Sequence, residues 1–262
     1  MNLNLEGRVA LVCGASKGMG FATAQALALQ GAKVLMVARD LSALNAATQT
    51  IAATGGVVAA HAGDVRHPNL AQIAADRCEE LWGPVDILVN NAGGPQMGFF
   101  LEHDATVWES AIQTNLLSVV RFCQAVVPGM KAKNWGRIIS ITSTVAKEPS
   151  PAMVLSATTR SGVAAFSKAL AIELAQFNIS VNVICPGGVL TDRLVNLLQA
   201  RAAREKRDYG DVLLESQESI PAKRFAAPQE IADVIVFLAS ESGGYVNGVS
   251  LSVDGALTKA LG

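Results

Sequence analysis

The chain has 262 residues, 50% of them hydrophobic, with a formal net charge of −1 and a mean hydropathy of +0.33. The near-zero charge excludes nucleic acid or an acidic membrane held by bulk electrostatics. No run of about 18 uninterrupted apolar residues is present, which argues against a transmembrane helix. The start, MNLNLEGR, lacks the basic-then-apolar pattern of a signal peptide. Cys13, Cys78, Cys123 and Cys185 are scattered and, with only His61, His67 and His103 beside them, give no metal-ligand spacing. These features predict a reduced, cytoplasmic, metal-free protein with material for a large core.

Val9 to Cys13 is too short for a buried helix and reads as a strand buried on both faces. Gly14, Gly18 and Gly20 follow, with Ser16, Lys17 and Met19 among them, and then a helical apolar repeat that stops at Gly31. Strand, glycine turn and helix together offer backbone N–H groups and a positive helix end to a phosphate; as a plain turn the glycines would only punctuate a loop. Strands and helices then alternate: strand Lys33–Ala38, helix Leu41–Ala53, strand Val57–Ala62, helix Leu70–Leu81, strand Ile87–Asn90, a long helix Trp108–Met130 despite Pro128, strand Arg137–Ser143, helix Ser161–Phe177, strand Ser180–Cys185, helix Pro228–Ala239 and strand Ser250–Val253. This alternation predicts one α/β domain over 1–262, a doubly wound Rossmann-type parallel sheet of about seven strands with helices on both faces. Leu190 to Ile220 reads as a polar insertion covering the substrate side.

The tip of the second strand discriminates between nicotinamide cofactors, because an acid there grips the ribose hydroxyls whereas a basic residue accommodates a 2′-phosphate. Here the strand ends Ala38-Arg39, and Lys17 lies in the glycine turn. Two cations on one side of an adenosine ribose favour NADP(H). The competing reading makes both solvated surface charges, with Asp40 partly neutralising Arg39.

The motif Gly14-x3-Gly18-x-Gly20, with Asn90-Asn91-Ala92-Gly93 after the fourth strand, resembles the short-chain dehydrogenase/reductase family. Asp64-Val65, Asn115, Pro186-Gly187-x-Val189-x-Thr191, Arg224-Phe225 with Pro228 to Ile231, and Val253-Asp254-Gly255 match that family's further motifs in order. The resemblance is strongest to 3-oxoacyl-carrier-protein reductases. It implies an adenine contact at Asp64, the adenosine side of the cleft at Asn91 to Gly93, and nicotinamide carboxamide and diphosphate contacts at Pro186 to Thr191. It also implies a homo-oligomer, dimer or tetramer, in contact through the helices Trp108–Met130 and Ser161–Phe177.

The catalytic pattern departs from the family. Ser143 matches its serine, but Ser156 stands where the family has tyrosine and Arg160 where it has lysine, with Ser161-Gly162-Val163 fixing the alignment. The only tyrosines are Tyr209 and Tyr245, so no register slip supplies a phenol. A phenol with a pKa of about 10 is a far better acid than an aliphatic hydroxyl, and a guanidinium does not relay protons. Ser143, Asn115, Ser156 and Arg160 are therefore the candidate catalytic set, with Arg160 also a cofactor ligand. Ser143 as a strand-end residue bonded to its own backbone, Asn115 as an internally paired helix residue and Ser156 as a helix cap are the simpler structural readings. Three function classes follow: an oxidoreductase on a small carbonyl or hydroxyl substrate with an unusual proton source, a C=C-directed or non-redox enzyme on the same scaffold, and a catalytically silent NADP(H)-binding subunit. The run Arg201 to Arg207 either receives an anionic thioester substrate or is a solvated helix face.

Overall fold

The computed structural model describes residues 3–260. Seven strands form one parallel sheet in the order β3-β2-β1-β4-β5-β6-β7: β1 Val9–Cys13, β2 Lys33–Ala38, β3 Val57–Ala62, β4 Ile87–Asn90, β5 Gly136–Ile141, β6 Ile179–Pro186 and β7 Ser250–Val253. Parallel strands require crossovers, and the helices between them cover both faces.

Side chains alternate along β1, so its residues divide between two cores. Ala10 and Val12 face a layer made by α1 (Gly18–Leu29), α2 (Leu41–Ala52) and α9 (Pro228–Ala239). Val9, Leu11 and Cys13 face the opposite layer of α3 (Leu70–Trp82), α5 (Ser118–Lys133) and α6 (Val154–Leu174). β1, β4, β5 and β6 are buried throughout; β1 is apolar along its whole length, while β4, β5 and β6 also bury Asn90, Arg137, Ser140, Ser180 and Asn182. At the edge, β3 is half-exposed, yet its β-branched start and register with β2 keep it in the sheet.

Strand order reverses between β1 and β4, which pair with each other while their onward connections leave in opposite directions. A crevice opens at the carboxyl ends of strands at such a point.

Two boundaries differ from the sequence expectation in ways that matter for the site. The long helix is α4 (Ala105–Ile112) and α5, joined without a break by a π-helical turn, Gln113–Leu117. The helix after β5 begins at Val154 rather than Ser161. Residues 190–220 hold two helices, α7 (Asp192–Glu205) and α8 (Tyr209–Glu218), around a small core of Leu198, Ala202 and Val212.

Candidate active site

The glycine turn is shaped by close backbone approach. A Cβ at Gly20 would lie 2.2 Å from the Gly14 carbonyl oxygen, and one at Gly14 would lie 2.5 Å from the Asn91 carbonyl oxygen. Gly14 and Gly18 have φ of +60° and +58°, a region costly to L side chains. The Asn91 amide donates to the Gly14 carbonyl at 3.2 Å, tying the turn to the end of β4. No side chain caps the N-terminus of α1, and its first turn holds no acid. A helix start of this kind directs unpaired N–H groups outward, and an anionic diphosphate suits it. The cradle therefore fits a dinucleotide.

The cations flanking this cradle are arranged differently from the sequence expectation. Lys17 is exposed and forms an ion pair with Asp192 at 3.5 Å, across the cleft at the start of α7. Asp40 does not neutralise Arg39; its carboxylate accepts from the Ala43 N–H and caps α2. Arg39 instead contributes, with Arg66, to the field that lowers the Asp64 pKa. The main cause of that shift is the Arg66 guanidinium, which donates to both carboxylate oxygens of Asp64, the nearest contact at 2.6 Å. Asp64 is thus an ionised acceptor already held by a neighbour that sequence reading missed, although the two-residue spacing was visible. Val65, next in chain, lines a small cavity beneath the cleft with Asn91 and Ala92.

That cavity, of about 20 Å³, counts Asn90, Asn91, Asn115, Ser118, Thr142 and Arg160 as its polar lining. Asn115 lies in the π turn, where its amide donates to the Gly93 carbonyl at 2.9 Å. Its Oδ1 is buried without a hydrogen-bond partner among the described residues. A space of this size holds one water, and the orphan acceptor gives such a water a donor's task. The paired-internally reading of Asn115 is thereby half met: one end is satisfied and the other is not.

Ser143 is half-buried and its hydroxyl accepts from the Val145 N–H at 3.4 Å, capping a short 3-10 turn. Ser156 does not cap α6, since Met153 holds that position; Ser156 is buried within the first turn. Its Oγ accepts from Arg160 Nε at 3.0 Å, while Arg160 Nη1 donates to the Ile141 carbonyl at 3.2 Å. Burial pushes the Arg160 pKa down to about 10, with nearby Arg193 the second cause. It remains a cation at neutral pH and relays no proton.

Val189 is buried beneath the segment that leads into α7, bridged to Ala226, and Thr191 caps α7 through the Leu194 N–H at 3.4 Å. A Cβ at Gly18 would stand 3.3 Å from the Thr191 methyl, so this segment abuts the glycine turn. A Cβ at Gly187 would meet the Cβ of Asp254 at 2.8 Å, which packs the segment after Pro186 against the end of β7. Arg193, also missed in the sequence, reaches over the cleft and donates to the Pro95 carbonyl at 3.0 Å. Within the Arg201–Arg207 run, Arg201 and Arg207 pair with Glu205 and Glu215.

A glycine cradle at the reversal point of a doubly wound sheet, with the ends of β4, β5 and β6 converging beside it, defines a Rossmann-fold protein of the dinucleotide-binding class. The family model for short chain dehydrogenase matches residues 8–202, and the chain belongs to that family. It is 36% identical to the 3-oxoacyl-acyl-carrier-protein reductase FabG of Escherichia coli, over 97% of this chain and 99% of that protein. L-sorbose reductase from Gluconobacter frateurii, solved with NADPH and L-sorbose, superposes with a TM-score of 0.94 at 33% identity, covering 100% of both chains. A variant of actinorhodin polyketide ketoreductase with NADPH gives 0.94 at 30% identity, over 97% of this chain and 98% of that one. Among the described residues no group of three or more His, Cys, Asp or Glu could hold a metal ion, and no helix is long and apolar enough to cross a membrane.

Proposed function

We propose that the chain is an NADP(H)-dependent oxidoreductase interconverting a carbonyl and a hydroxyl on a small molecule, 3-oxoacyl compounds among the candidates, with an active site that lacks the tyrosine acid. The observation that carries this reading is the intact cradle: Gly14 and Gly20 pack so closely against Asn91 and each other's backbone that a side chain at either would distort the turn, and the uncapped start of α1 follows it. Solved relatives with NADPH support the cofactor choice, as do Lys17 and Arg39 beside the cradle.

When bound, the nicotinamide supplies or accepts the hydride. Gly18, Met19 and Gly20 direct backbone donors at the diphosphate, with Ser16 and Thr191 at its flanks. Asp64 and Val65 meet the adenine, and Asn91, Ala92 and Gly93 form the floor of the cleft; Pro186, Gly187 and Val189 shape the nicotinamide side. Ser143 and Ser156 present hydroxyls to the substrate oxygen. Arg160 holds a positive charge beside it, which stabilises a developing alkoxide. The proton is relayed from bulk solvent through a water held at Asn115, because neither serine is acid enough to supply it and the guanidinium does not give one up. Residues 190–220 act as the cover on the substrate side. The free, buried cysteines support a reducing, cytoplasmic setting, and α5 and α6 serve as contact surfaces of a homo-oligomer, with Ile172 exposed on α6.

A screen following NADPH oxidation across ketones, enones and acyl thioesters tests the reading, which expects turnover of ketones or 3-oxoacyl compounds. Turnover of enones alone would move the activity to C=C reduction. A chain that binds NADPH, oxidises it with none of these and associates with an active relative would be a silent subunit. Tighter binding of NADH than NADPH would overturn the cofactor, and sedimentation as a monomer at micromolar concentration would overturn the oligomer.

A further inference from the structure

Arg160 and Arg193 converge on Gly94 from opposite sides of the cleft. A Cβ at Gly94 would lie 2.4 Å from Arg193 Nη2 and 3.2 Å from Arg160 Nη2. The first guanidinium is buried; the second belongs to an exposed residue whose tip lies against the chain at Pro95. Twelve ion pairs form among the described residues, and neither arginine takes part in one. Among the described residues their hydrogen bonds go only to neutral acceptors: Ser156 Oγ and the Ile141 carbonyl for Arg160, and the Pro95 carbonyl for Arg193. Nη2 of Arg160 donates to no described residue.

Two like charges held together without a counter-ion repel each other, and burying one of them adds a desolvation penalty. Such an arrangement suits an anion that arrives from solution. Arginine, unlike lysine, presents a planar fork matched to carboxylate and phosphate oxygens. Gly94 leaves the space between the two tips clear, since any side chain there would push them apart.

We infer that Arg160 and Arg193 form a receptor for a small oxyanion carried by the substrate, namely the carboxylate of a short oxo- or hydroxy-acid. This deepens the oxidoreductase reading and rests on it for the word substrate, but the binding itself does not require turnover. The same chemistry is available from the cofactor's own diphosphate, so the experiment separates the two sources. Arg193 is a specificity-determining residue under this assignment, and Arg160 has a second task besides facing the cofactor.

The test is calorimetric titration of NADPH-saturated protein with acetoacetate, methyl acetoacetate and inorganic phosphate, together with fluorescence titration of NADPH alone. The carboxylate should bind at least about tenfold tighter than its ester, as charge-assisted hydrogen bonds allow. Arg193→Gln should abolish that preference and leave the NADPH affinity within about twofold. Arg193→Lys should retain part of it, and Gly94→Ala, which keeps both charges but drives them apart, should weaken it. Equal affinity for acid and ester, or no binding of acid or phosphate at millimolar concentrations, would overturn the inference. So would a loss confined to NADPH affinity in Arg193→Gln, which would assign the pair to the diphosphate. A catalytically silent chain that still prefers the acid would refute the oxidoreductase reading and leave the oxyanion site standing.

Discussion

Arg160 Nε donates to Ser156 Oγ at 3.0 Å, so the two residues at the family's tyrosine and lysine positions are bonded to each other one turn apart on α6. With Nη1 on the Ile141 carbonyl, the guanidinium spans from the helix to the end of β5. A lysine at 160 has a single charged centre and cannot reproduce both bonds in this geometry. Arg160→Lys alone should lower unfolding stability by about 1–3 kcal/mol, the range for lost hydrogen bonds to a charged group. Thermal or urea denaturation of the two proteins checks it, and equal stability would show the bonds to be dispensable.

Restoring both family residues at once should have a different outcome. Ser156→Tyr with Arg160→Lys supplies a phenol beside an ammonium, and positioned general acids are typically worth ~10²–10⁴-fold in rate. Ser156 is buried, so the larger ring brings an overpacking cost of about 1–3 kcal/mol. Assays therefore belong well below the variant's melting temperature. Ketone reduction followed by NADPH oxidation should rise by roughly those factors. Unchanged activity with NADPH still bound would favour chemistry that requires no alkoxide protonation.

The Lys17–Asp192 ion pair sets two members of the proposed cofactor cleft against each other. Both side chains are 73% exposed, so the bridge is worth about 0–1 kcal/mol and is screened by salt. Asp192→Asn should release Lys17 for the 2′-phosphate and tighten NADPH by up to about fivefold at low ionic strength. Lys17→Ala should weaken NADPH while leaving NADH nearly unchanged. Fluorescence titrations at low and high salt check both. A variant at Asp192 that weakens NADPH would show that the bridge orders the cleft instead of competing with it.

Much of the architecture was legible because short strands rich in Val and Ile alternate with longer segments of helical apolar period. Val9–Cys13 and its glycine turn needed only local chemistry to be placed. The π turn at Asn115 was not legible: Leu116 and Leu117 continue the helical apolar pattern, and nothing marks the extra residue in the turn. The start of α6 was hidden because Ser156, Thr159 and Arg160 interrupt the apolar repeat of the helix. They are buried, with Thr159 Oγ1 donating to the Leu155 carbonyl at 2.8 Å and Arg160 held as described. Arg193 was invisible for another reason. Its partner carbonyl is 98 residues away in sequence, and only the fold brings α7 over the loop after β4.

Asn115 links that unread turn to the cleft through the Gly93 carbonyl. Asn115→Ala removes this bond and the orphan Oδ1 together, so the net stability loss should be small, about 1 kcal/mol. Activity should fall much further if the cavity water relays the proton from solvent, by about 10²-fold. A solvent isotope effect on kcat should grow in the variant as proton transfer becomes limiting. Parallel losses of stability and activity would reduce Asn115 to a structural tie.

Part of the acid sensitivity should come from Glu230, where the Arg224 guanidinium first and the Ala227 N–H second hold the carboxyl down to about 2. Arg224 meets both of its oxygens at 2.7 Å, and the same carboxylate closes the N-terminus of α9. The ordinary value is 4.5, so the unfolded chain takes up the proton first as pH falls. The contribution of Glu230 is therefore complete above pH of about 4.5 and is lost progressively towards pH of about 2. Glu230→Gln removes the titrating group and should be less stable than the unaltered protein at neutral pH. The gap between the two should close as pH drops through that window, in urea titrations at a series of pH values. A gap that stays constant with pH would mean the glutamate acts through packing alone.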